Sequence, residues 1–187
     1  NLILHYNFNS NFTSGTTAVD DLSSANNDGT LQNFNFTSGL LDFDGVNDFI
    51  STTNNYSGSG PSEFTIEIWF KTTSKNLKLI GFENNQTTSA TAYDRMLYIN
   101  DEGKVVFAVY PSDFKTVKTS NSYNDGEWHQ ALATYSDINN IGKLYIDGNL
   151  KTSLSANYAQ SYSGYWKIGG GQLSAWPNGS GLNYSSE

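Results

Sequence analysis

The chain has 187 residues, 37% of them hydrophobic and 14% aromatic but only 15% charged, which is the composition of one domain built from short strands and polar turns. A net charge of −8, with the Lys and Arg residues dispersed, argues against nucleic-acid binding, because a phosphate backbone would be repelled. The absence of cysteine excludes disulfide scaffolds, thiolate metal sites and cysteine nucleophiles, and no apolar run is long enough to insert in a membrane.

In chain order, 2–8 alternates Leu2, Leu4, Tyr6 and Phe8 against Ile3, His5 and Asn7, which predicts a first strand. The polar stretch 9–30 reads as a long ordered loop. Residues 40–50 predict two short strands around the turn Asp44-Gly45-Val46-Asn47. The clearest strand is 64–71, with Phe64, Ile66, Ile68 and Phe70 on one face and Thr65, Glu67, Trp69 and Lys71 on the other. Another is expected at 77–83. Strands at 95–100 and 104–110 flank the hairpin signal Asp101-Glu102-Gly103. Strands at 129–135 and 142–147 follow, the second running into the turn Asp147-Gly148-Asn149, and 165–170 is the last. Beyond Gly171 the chain is polar and turn-rich, with no strand expected.

No segment carries sustained helical periodicity, so an antiparallel β-sandwich or barrel is implied. No linker or internal repeat divides the chain, and 1–187 reads as one domain. Its abrupt, strand-like opening at Asn1 reads as a mature domain or one excised from a longer protein.

Several segments resemble the laminin-G-like domains of the concanavalin-A-like lectin and glucanase superfamily. Within 124–150, Trp128, His129, Tyr145, Asp147 and Gly148 match that family's hairpin residue by residue. The run 64–74 resembles its Trp-bearing strand, 41–50 its Phe-Asp-Gly…Asp segment, the opening strand and long loop its beginning, and 166–170 a strand near its end. The resemblance implies a concanavalin-A-like jelly roll. It also implies a final strand, of the form Gly-x-Ile-Asp-x-Val, that would lie beside 2–8 and is missing from this chain. A bare edge there is one that proteins normally cover, so a segment from a cleaved piece or a partner chain is expected to complete the sheet.

The superfamily includes glycanases, whose Glu-x-Asp-x-x-Glu cluster is absent here, and Glu67 is the one acid inside a well-defined strand. No Ser/His/Asp arrangement can be assembled, and both His5 and His129 read as structural. The chain therefore reads as non-catalytic. Sugars stack on aromatic faces and hydrogen-bond to polar groups, which nominates Glu67, Trp69, Tyr93, Arg95, Tyr98, Tyr110, Phe114 and Trp176. Trp176 stands in a polar stretch that offers nothing to bury it, whereas Trp128 and Trp166 read as packing residues.

Calcium needs six to eight oxygen ligands. Asp20, Asp21, Asn26 and Asp28 supply them densely, and Asp44 and Asp48 add more if the two loops meet. The competing reading is that these Asx residues only make turns. The expected function is a carbohydrate-binding or adhesion module of a secreted, cell-surface or virion protein, with a glycan or a surface or virion protein as partner. The alternative is an assembly domain with no saccharide ligand.

Overall fold

A computed structural model describes residues 2–8, 12–36, 41–87, 89–177 and 179, and the backbone of 182–184. All its regular elements are strands: β1 (Ala18–Val19), β2 (Gly29–Gln32), β3 (Phe49–Thr52), β4 (Glu63–Phe70), β5 (Leu77–Glu83), β6 (Tyr93–Ile99), β7 (Lys104–Val109), β8 (Lys115–Ser122), β9 (His129–Ser136), β10 (Ile141–Ile146), β11 (Asn149–Ser155), β12 (Tyr165–Ile168), β13 (Gly170–Gln172) and β14 (Leu182–Tyr184). Among the described residues no helix is long and apolar enough to cross a membrane.

The strands form an eight-stranded sheet, ordered β1-β2-β3-β12-β5-β6-β7-β8, and a four-stranded sheet, ordered β11-β10-β9-β4. Every pairing is antiparallel. β13 and β14 make a separate two-stranded ribbon. The period-two pattern decides which side chains meet. Ile66 and Phe70 of β4, Ala131, Ala133 and Tyr135 of β9, and Leu144 and Ile146 of β10 pack against Ile50, Phe82, Leu97, Phe107 and Trp166 of the large sheet. Each fully buried large side chain there, such as Phe107, contributes roughly 1.5–3 kcal/mol of transfer free energy. The turn between β10 and β11 holds Asp147 at φ 52° and Gly148 at φ 73°. Two central residues with positive φ make a type I′ turn, whose twist suits a hairpin.

Four expectations need correction. Residues 2–8 form no strand: Leu4, Tyr6 and Phe8 do pack against the core, but the segment is held by Asp21, which accepts from His5 N at 2.8 Å, and by Leu22 N, which donates to His5 O at 2.9 Å. The supposed loop 9–30 contains β1 and the start of β2. Of the two strands sought in 40–50, only β3 forms among the described residues. Past Gly171 the chain does form a strand, since β14 pairs with β13. Two more strands, β8 and β11, escaped notice because they are edge strands whose side chains are mostly polar and exposed. The expected open edge beside 2–8 is therefore not there. An open edge lies instead along β4, which among the described residues has only β9 as a sheet neighbour.

Candidate functional site

Five of the eight nominated ligand residues gather on the outer face of the large sheet. Met96 and Tyr98 of β6 and Val106 and Ala108 of β7 pack there with Leu173 and Trp176, and Tyr93 and Tyr110 lie half-buried at the margin. The segment after β13 crosses this face and is tied down by two tyrosines. Tyr93 donates to Ser174 O at 2.6 Å, and Tyr98 donates to Pro177 O at 2.8 Å. Trp176 is therefore no exposed platform. It is 2% exposed, edge-on to Phe114 at 4.9 Å and to Tyr110 at 6.2 Å. Tyr98 is likewise buried, whereas Phe114 remains exposed.

Beside this cluster a groove of about 300 Å³ is lined by Tyr98, Asn100, Val106, Thr116, Lys118 and Pro177. Asn100 Oδ1 accepts from Glu102 N at 3.0 Å and Lys104 N at 2.9 Å, which closes the β6–β7 turn. Asn100 Nδ2 is buried with no hydrogen-bond partner. A buried donor left without an acceptor costs about 1–3 kcal/mol, so it marks a place where an acceptor belongs. Lys118 stands at the same groove in an exposed ion pair with Glu102 at 2.9 Å, a contact that is cheap to exchange. None of the lining residues carries a carboxylate.

Arg95 has a different role from the one its sequence position suggested. It is 1% exposed, and its guanidinium donates to Pro61 O at 2.8 Å, Gln160 O at 2.8 Å, Ser59 O at 3.2 Å and the Asp94 carboxylate. It lies 5.2 Å from the Phe82 ring centre and 5.5 Å from that of Tyr162. Arg95 is thus an internal strut between loops and is closed to ligand.

Glu67 and Trp69 lie away from the groove, on the outer face of the small sheet. Trp69 is 60% exposed and sits opposite Gln130, whose Nε2 donates to Glu67 Oε1 at 2.7 Å. Trp128, expected to pack inside, is 63% exposed. Its neighbour His129 is structural: Nδ1 lies 2.9 Å from Asp147 Oδ2, and Nε2 lies 3.2 Å from Asp125 Oδ1. Partial burial pulls the His129 pKa down, but the two carboxylates outweigh it and raise it above the ordinary value.

The two acidic loops differ in their fitness for a cation. In the first, the Asp21 carboxylate already accepts from His5 N, Ser23 N, Ser23 Oγ and Asn27 N, while Asp28 Oδ1 accepts from Asp21 N. Burial pushes Asp21 up, yet these bonds prevail and bring its pKa to about 2. Asp20 and Asn26 are exposed. In the second loop, Asp48 is 2% exposed; its Oδ2 accepts from Asp44 N at 3.0 Å, and its Oδ1 is buried without a partner. Burial, together with the neighbouring Asp44 and Asp42 carboxylates, raises the Asp48 pKa against the pull of that bond. Among the described residues no three Asp, Glu or His side chains gather as a metal cluster.

The laminin G family model described as the Concanavalin A-like lectin/glucanases superfamily matches residues 44–182, from the Asp44 turn to the start of β14. The chain belongs to that superfamily. Its model covers all of the small sheet and the groove, and leaves outside it the loop that holds Asp21. No curated protein is similar enough to count as a relative.

Among solved structures the superfamily fold recurs in domains LG4-5 of the mouse laminin alpha1 chain, at a TM-score of 0.57 and 22% identity over 78% of this chain. The chain spans 39% of that laminin fragment. A SAP-like pentraxin from Limulus polyphemus gives 0.54 at 14% identity, covering 76% of this chain and 70% of that one. The CBM40 module of the Ruminococcus gnavus IT-sialidase, solved bound to α2,3-sialyllactose, gives 0.50 at 19% identity, covering 79% and 88%. At these identities the likeness is one of fold.

Proposed function

We propose that this superfamily domain is a non-catalytic carbohydrate-binding or adhesion module, and that the groove beside Asn100 is its saccharide site. The observation that carries this reading is the orphaned Asn100 Nδ2 in a groove that also offers the Thr116 hydroxyl and the Lys118 ammonium. A saccharide hydroxyl or carboxylate supplies the missing acceptor, and the exposed Pro177 presents apolar surface to its ring. The lack of carboxylates in the lining supports binding without hydrolysis, which needs a pair of them. The CBM40 neighbour, a carbohydrate-binding module, supports the same reading. Such a module belongs on a secreted, cell-surface or virion protein.

We also propose a structural calcium at Asp44 and Asp48. The unpartnered Asp48 Oδ1 and the mutual repulsion of neighbouring carboxylates are what a divalent cation would relieve. The Asp21 loop is the poorer host, because its carboxylate oxygens already serve backbone donors.

A second reading, an assembly domain, rests on the edge of β4. Asp137 N donates to Ser62 O at 3.1 Å, and bonding alternates along an antiparallel pair. Glu63, Thr65, Glu67 and Trp69 therefore turn their backbone groups away from β9, towards a place where a strand from a partner chain could add.

A glycan-array screen of the domain, repeated with Asn100→Asp, separates the two readings. That variant keeps the oxygen that caps the turn and removes the orphaned donor. Binding by the wild type that is lost in the variant supports the groove. A blank array from folded protein overturns the saccharide reading and favours assembly.

A further inference from the structure

The outer face of the small sheet carries Trp69, and Trp128 adjoins it; at 60% and 63% these are the most exposed aromatic side chains among the described residues. Register fixes its layout. Glu67 of β4 pairs with Leu132 of β9, and Leu132 pairs with Tyr145 of β10. One step along the same face, Trp69 pairs with Gln130. Trp128 precedes β9 by one residue, and strand alternation puts it on the face of Gln130, diagonal to Trp69. Both indoles are more than half exposed. Glu67 and Gln130 are already bonded to each other, which leaves Glu67 Oε2 and Gln130 Oε1 as fixed acceptors beside the indoles.

We infer that this face is a second saccharide site, distinct from the groove, that stacks a neutral β-linked oligosaccharide on Trp69 and Trp128. Flat indoles match the C–H faces of successive pyranose rings, and the acceptors match their equatorial hydroxyls. The neighbouring row of the face, Thr65, Thr134, Lys143 and Ser153, is polar, so the apolar strip is about as wide as a sugar chain. The glutamate and the acidic chain disfavour an anionic ligand.

Isothermal titration of the whole domain with cellohexaose and with xylohexaose tests the site. At least one should bind the wild type. Trp69→Ala and Trp128→Ala should each weaken that binding tenfold or more, and Trp69→Phe should restore part of it. Near-ultraviolet circular dichroism checks that each variant is folded. The inference is overturned if neither oligosaccharide binds, or if binding survives both alanine variants. It is also overturned if sedimentation shows a wild-type dimer that Trp69→Ala dissolves, since the face would then be a protein interface.

Discussion

Lys78 donates to Glu83 within the large sheet, and neither side chain reaches solvent. Lys167 Nζ forms an ion pair with the other Glu83 oxygen at 3.0 Å while lying 4.9 Å from the Phe49 ring centre, and Gln172 N donates to Glu83 Oε1 at 2.7 Å. One carboxylate thus serves two buried ammonium groups and pins the β13–β14 ribbon to β5. Burial outweighs the attraction to Glu83 and lowers the pKa of Lys78. Glu83→Gln should therefore destabilise the domain by about 3–5 kcal/mol, since it strands buried positive charge. Urea unfolding measures this, and a loss below about 1 kcal/mol would show that the charges are not truly desolvated. Gly171→Ala should also destabilise. Gly171 has φ 130°, and a Cβ there would meet Glu83 Oε1 at 2.2 Å.

His129 should make stability depend on pH in the neutral range. Its folded pKa is raised above 6.5, so its contribution is complete below that value and is lost as pH rises through the raised one. Asp125 and Asp147 are shifted the other way. The Glu127 N–H and His129 hold Asp125 down, and bonds from Gln130 N and His129 overcome burial at Asp147. Their contribution is present above 3.8 and is lost as pH falls below it. The melting temperature of the wild type should decline from about pH 6 to about pH 8.5 more steeply than that of His129→Gln. Parallel profiles would remove His129 from the account.

How much of this was legible depended on what each residue type can signal. Apolar alternation in β4, β9 and β10 specified the core face correctly, because period two on a half-buried sheet leaves a single solution. Polar edge strands such as β8 carry no such pattern and could not be seen. Tyr93, Tyr98, Tyr110, Phe114 and Trp176 were nominated one by one, and their convergence needed the strand order β6-β7-β8. The groove's informative residue, Asn100, went unnoticed because its spacing reads only as a turn cap. Aromatic exposure was the least legible property. The turn-rich setting of Trp176 hid its burial under β6 and β7, and the family-like Trp128 proved open to solvent.

The Asp21 loop should fail in acid. A carboxylate with a pKa of about 2 that titrates near 3.8 when unfolded gives stability that is present above 3.8 and lost as pH falls towards 2. The shift corresponds to roughly 2–3 kcal/mol. Asp21→Asn should be less stable at neutral pH, and its stability should fall less between about pH 4 and about pH 2. Acid unfolding curves of the two proteins decide this, and curves that run parallel through that range would assign the acid sensitivity to other carboxylates.

Calcium should raise the melting temperature of the wild type over that measured in chelator, and Asp48→Asn should abolish the difference. The variant relieves the repulsion from Asp44 and Asp42 while removing a strong ligand, so its melting temperature in chelator should change little. No calcium response in the wild type would leave the buried Asp48 oxygen without a cation and sink that site.

Trp176 and Trp69 should separate stability from ligand contact. Trp176 is almost wholly enclosed by the outer face of β6 and β7 with Leu173, Tyr110 and Phe114 around it, and Trp176→Ala opens a cavity that the sheet beneath cannot fill. The expected cost is about 3–5 kcal/mol. Trp69 has most of its ring in water, and Trp69→Ala should change unfolding free energy by less than about 1 kcal/mol. If both variants bind saccharide poorly, only the loss in Trp69→Ala reports a contact, because the loss in Trp176→Ala follows from the freed segment after β13. A Trp176→Ala protein as stable as the wild type would mean that this segment does not hold the large sheet's outer face in solution.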